Sequence, residues 1–379
     1  MGERQDLGEG TPSKLRLNAP PGGWFPALQG LNWSITISNY PYLDLFFSQN
    51  LRAVTISTHW DEPKFPRSSL PVIASTISAL PATTLQSLSM SVCDHGAPPT
   101  YLTDSLSSVV LRCGPSLRDF TSLIPLSDEA ISHLIHLPHL RTWHTVNSPP
   151  SYSTSPLPLT FPPLKGFALL EGVAPGWLSL FKHLGNGISS TQGTAPLSGV
   201  RGSLESLNIK HFPDPIIDPS FTSAIQIFQN LVHLSIMVVC SDGQCAFKLN
   251  NDNVVELSMA LPRLNHLLLG YPCGENTCAT TVACLLPISV HCPGLQFLGI
   301  HFNTTNIVDD LKNISEDPQF QELRSFRRCD LSRLYVYRVP LTPDKSGLKT
   351  VARVMMDIFP NLEHCDGWGG LKLKRKMVG

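Results

Sequence analysis

Ten cysteines and thirteen histidines supply the reactive side chains of this 379-residue sequence. Cys240 and Cys245 have four residues between them, and so do Cys273 and Cys278. Four thiolates can hold a structural zinc ion, and gaps of roughly two to four residues suit a pair of ligands. Two plainer readings stand beside it: a redox-active pair, or inert thiols, since free cysteine packs as a small buried hydrophobe. No Gly-Lys-Ser/Thr phosphate loop, Gly-x-Ser-x-Gly elbow or His-Glu-x-x-His helix occurs. With so many His and Cys, Cys–His pairs arise by chance. The chain therefore reads as a non-enzyme, with no cofactor beyond the zinc that those four thiols would hold.

The two cysteine pairs are in register with a larger pattern. Cys240 lies nine residues after Leu231, and Cys273 lies nine after Leu264. Leu231, Leu234 and Ile236 are followed by Leu264, Leu267 and Leu269, then by Leu295, Leu298 and Ile300. Apolar residues at relative positions 0, 3 and 5 are the signature of a leucine-rich-repeat strand. Copies begin at positions 28, 51, 85, 117, 140, 164, 204, 231, 264, 295, 323 and 362. Leu334 to Val339 reads as an extra strand. Helical spacing between the copies predicts helices over 72–80, 102–111, 128–137, 177–184, 253–261, 306–311 and 348–358, with Ser127 as an N-cap. One strand–helix unit cannot bury both its apolar faces, but stacked units share a core. The expected fold is an α/β leucine-rich-repeat solenoid: curved, with a parallel sheet on the concave face and helices on the convex face. Its bounds are 25–370, after a flexible lead-in at 1–24 and before a basic tail at 371–379.

Alternation along each strand places positions 2 and 4 on the open face of the sheet. There the sequence puts Asn208, His233, Ser235, His266, Phe297 and His144, with Ser325 and Arg327 on the copy at 323. His233, His266 and Phe297 fall on successive strands and form the preferred contact patch for a protein partner. A net charge of −1 and a concave face poor in Lys and Arg argue against nucleic acid. No apolar run approaches the roughly 18 residues of a membrane span, and the N-terminus has no apolar signal core. The expected location is intracellular, in the cytoplasm or nucleus.

The segments Asn253 to Cys273, Cys292 to Leu298 and Ala352 to Leu362 resemble the leucine-rich-repeat region of fungal F-box proteins, especially those of mushroom-forming fungi. The resemblance implies a substrate receptor of a Skp–cullin–F-box ubiquitin ligase. In that family an N-terminal F-box docks on the ligase adaptor and the repeats hold the protein to be degraded. Here fewer than about thirty residues precede the first strand and no F-box helical trio is visible. The chain is therefore expected to lack the F-box. A metal- or redox-linked repeat protein built on Cys240, Cys245, Cys273 and Cys278 is the alternative.

Overall fold

Leucine at position 0 of each copy marks the point where the chain turns into a strand. A computed structural model describes residues 24–36, 38–58, 69–92, 99–146, 163–170, 202–213, 219–239, 248–270, 278–303, 305–316, 318, 329–336 and 345–366. The chain divides into two compact units, Met1–Leu164 and Lys165–Gly379. Both have the leucine-rich-repeat fold.

The first unit carries β1 (Gly30–Ile35), β2 (Ala53–Thr58), β3 (Ser87–Ser91), β4 (Asp119–Ser122) and β5 (Thr142–Thr145). They pair in chain order, all parallel. Between them lie α1 (Leu70–Ser78), α2 (Thr100–Arg112) and α3 (Asp128–Ile135). Ser127 caps α3, its hydroxyl accepting from the Ala130 N–H at 3.3 Å.

The second unit carries β6 (Gly166–Leu169), β7 (Ser206–Pro213), β8 (His233–Val239), β9 (His266–Leu269), β10 (Phe297–Ile300), β11 (Arg333–Val336) and β12 (His364–Asp366). These too pair in chain order and are parallel. Their helices are α4 (Pro219–Ile225), α5 (Asn251–Ala260), α6 (Leu285–His291), α7 (Ile307–Glu316) and α8 (Lys345–Ile358). The expected helix over 177–184 lies outside the described residues. Among the described residues, no helix is long and apolar enough to cross a membrane.

One backbone device recurs along both units and sets the register. The position-0 N–H closes a turn onto the carbonyl three residues earlier, as in Leu51 to Ser48, Leu264 to Leu261 and Leu295 to Cys292. The position-1 carbonyl then accepts two N–H groups from the next strand. Val232 O takes those of Asn265 and His266, and Asn265 O takes those of Gln296 and Phe297. This fork repeats at the strand pairings within each unit, so the apolar side chains at positions 3 and 5 turn inward together; in the first copy Trp33, at position 5, is only half-buried. A slip of one residue would turn every apolar side chain outward. Leu88, Phe120 and Trp143, aligned on adjacent strands, are fully buried.

The eleventh copy differs from its expected register. The strand between β10 and β12 begins its copy at Leu331, with Leu334 and Val336 inward, not at Leu323. What reads as an extra strand at 334–339 is therefore the copy itself. Its open-face residues are Arg333 and Tyr335, in place of Ser325 and Arg327, which lie outside the described residues. Leu323 with Phe326 and Leu331 with Leu334 both fit the apolar pattern, and the pairing with Phe297 to Ile300 decides between the two frames.

Candidate functional site

Position 2 of the second unit reads Gly166, Ser206, His233, His266, Phe297, Arg333 and His364 across seven strands in register. Strands lie about 4.8 Å apart, near the separation of two stacked rings. Planar side chains on neighbouring rungs therefore stack on one another. The His233 and His266 ring centroids are 4.0 Å apart with their planes 12° from parallel. His266 and Phe297 are 4.2 Å apart and 5° from parallel. The three residues form one ladder of rings standing on the sheet, each half-buried.

The ladder is electrically neutral near neutral pH. Partial burial and the neighbouring Lys210 ammonium hold the His233 pKa below its usual value. Partial burial, with a smaller contribution from His233, lowers that of His266 to about 4. Each depressed pKa means that the unfolded chain binds a proton the folded chain refuses. Stability from this source is thus complete above pH ~6.5 and is lost as pH falls toward 4. The urea midpoint should decline across that window. In His266→Phe, which keeps the stack and removes the titration, the decline should be visibly shallower; an unchanged slope would contradict this assignment.

Position 4 of the same strands reads Ala168, Asn208, Ser235, Leu268, Gly299, Tyr335 and Asp366. Here one expectation is corrected. Ser235 is only 3% exposed and offers nothing to a partner. It sits in register between Asn208 and Leu268, both long enough to close over a serine. Asn208 is half-buried, and its Oδ1 is enclosed with no hydrogen-bond partner among the described residues. Leu268, in register with Ser235 on β9, is half-buried. It leans over Gly299 so closely that a Cβ there would lie 2.3 Å from Leu268 Cδ1. Reading position 4 of the copy at Leu264 would have flagged this apolar residue on a polar row. His144 belongs to the first unit, on β5, with Nδ1 3.4 Å from Thr121 Oγ1.

Of the four proposed zinc ligands, Cys240, Cys245 and Cys273 lie outside the described residues. Cys278 is buried, with its Sγ 3.4 Å from the His301 carbonyl oxygen, to which the thiol donates. Among the described residues, no group of three or more His, Cys, Asp or Glu is placed to hold a metal ion. Other cysteines prove structural in a way the spacing did not suggest. The Cys292 thiol donates toward the Ser258 and Leu261 carbonyls of the preceding coil, each at 3.6 Å. The Cys329 thiol does the same for Cys292 at 3.5 Å and Leu295 at 3.6 Å. Burial raises their pKa values to about 12 and about 11. Since the thiolate is the nucleophile and the metal ligand, both are held in the unreactive form.

No family model matches the chain, and no curated protein matches it. A solved structure similar to it is that of the leucine-rich repeat-containing protein LegL7 from Legionella pneumophila. The two share 14% identity over 82% of this chain and 93% of that one, with a TM-score of 0.38. That likeness is too loose to argue from. The fold assignment rests on the chain's own parallel strands and the fork that repeats between them.

Proposed function

We propose that the chain is a non-catalytic protein-interaction module and that the ring ladder His233–His266–Phe297 is the centre of its contact surface. The supporting observation is the ladder itself. Three neutral rings form a preordered, half-buried strip on the open face of a repeat sheet, the surface such proteins use for binding. Aromatic residues carry much of the energy where protein surfaces meet. Asn208 borders the strip on β7. A photocrosslinking amino acid at Ser206, beside the ladder, should capture a protein in cells. The same probe at Met259, 59% exposed on helix α5, should not. Equal capture from both positions would overturn the choice of face.

The resemblance to fungal F-box proteins supports a finer reading: the captured protein is a degradation substrate, held for a Skp–cullin ubiquitin ligase inside the cell. Purification of the full chain should then recover a Skp-type adaptor and a cullin. If neither is recovered, the ligase role falls and the interaction module stands.

A further inference from the structure

The ladder's ring faces are spent on one another, so the strip presents ring edges to solvent: the electropositive C–H rim of Phe297 and, on each neutral imidazole, one N–H donor beside one acceptor nitrogen. An electropositive rim attracts carboxylate oxygens and, edge-to-face, the ring of a partner's aromatic side chain. Two cations flank the strip. Lys210 on β7 follows Ser206 and Asn208 on the same face, and its charge is felt by His233. Arg333 on β11 is exposed and in register with Phe297. Neither cation makes an ion pair among the described residues. Glu205, five residues before Lys210, pairs with Lys165 at 3.1 Å. Asp366 on β12 and Glu363 just before it make no ion pair with Arg333 among the described residues.

Resting on the reading of this face as a protein-contact surface, we propose that its occupant is an extended acidic peptide segment with an aromatic residue between two carboxylates. Lys210 and Arg333 would each receive one carboxylate, and the rims of His233, His266 and Phe297 would receive the ring. Lys210 and Arg333 are four strand steps apart and offset by four residues along the strands, about 19 Å across and about 13 Å along, or about 23 Å between them. An extended peptide rises about 3.3 Å per residue, so the carboxylates should be about seven residues apart. Single-stranded nucleic acid fits less well. It needs exposed ring faces and a continuous basic track, whereas here only the two outermost faces and two cations remain.

The test uses the full chain and fluorescein-labelled octapeptides, read by fluorescence anisotropy. Glu-Gly-Ser-Trp-Ser-Gly-Ser-Glu should bind about tenfold more tightly than Lys-Gly-Ser-Trp-Ser-Gly-Ser-Lys. Replacing its Trp by Ala should weaken it. The double variant Lys210→Glu/Arg333→Glu should reverse the preference, with an unchanged circular dichroism spectrum. His266→Ala/Phe297→Ala should weaken both peptides. Absence of saturable binding by the acidic peptide, or a preference that survives charge reversal, overturns the proposal. So does oligouridylate binding that the double alanine variant abolishes. Capture of a protein from position 206 without any charge preference would leave the interaction module standing and sink only this inference.

Discussion

Phe120→Ala should destabilise the chain by about 3–5 kcal/mol, the cost of emptying a fully buried aromatic site. Phe120 is wholly buried at position 3 of its copy, between Leu88 on β3 and Trp143 on β5 in register. The fork of hydrogen bonds holds the strands at fixed spacing, so the neighbours cannot collapse into the space. Ser89, one strand away at position 4 and half-buried on the open face, is the matched control. Ser89→Ala should stay within about 0.5 kcal/mol. Urea unfolding followed by Trp fluorescence and circular dichroism compares them. Equal midpoints for Phe120→Ala and wild type would mean that the inward and outward positions have been exchanged.

The second large effect is expected at Gly270, immediately after β9. Its φ is +100°, in the region L side chains avoid, and its N–H donates to the Ile236 carbonyl at 2.9 Å. A Cβ there would lie 3.3 Å from the His301 Cβ, a contact that two backbone-anchored atoms cannot readily relax. Gly270→Val therefore combines backbone strain with crowding, about 2–4 kcal/mol together. Gly294 is the contrasting position, with nothing within 4 Å of the Cβ site. Gly294→Ala should be neutral or slightly stabilising, because it narrows the unfolded ensemble. Equal midpoints for Gly270→Val and Gly294→Ala in thermal or urea unfolding would contradict the strained conformation assigned to Gly270.

The strand pattern was legible because it is local. Leucines at 0, 3 and 5 declare which side of a strand is buried, and alternation then names the open-face row of His233, His266 and Phe297 without any tertiary knowledge. The Ser127 cap was legible for the same reason: hydroxyl and helix start lie in one short segment. Three things were not local. The frame of the eleventh copy was settled by pairing with Phe297 to Ile300, because Leu323 and Leu331 both offer an apolar start. Ser235 became buried through the sizes of Asn208 and Leu268, contributed by strands about thirty residues away in either direction. The roles of Cys292 and Cys329 came from carbonyls on the coil before each, which no spacing within one copy reveals. Residue order thus determined the repeat, its inward face and the identity of the three rings. Only the stacking of coils, at the fixed distance between hydrogen-bonded strands, made those rings a single neutral strip.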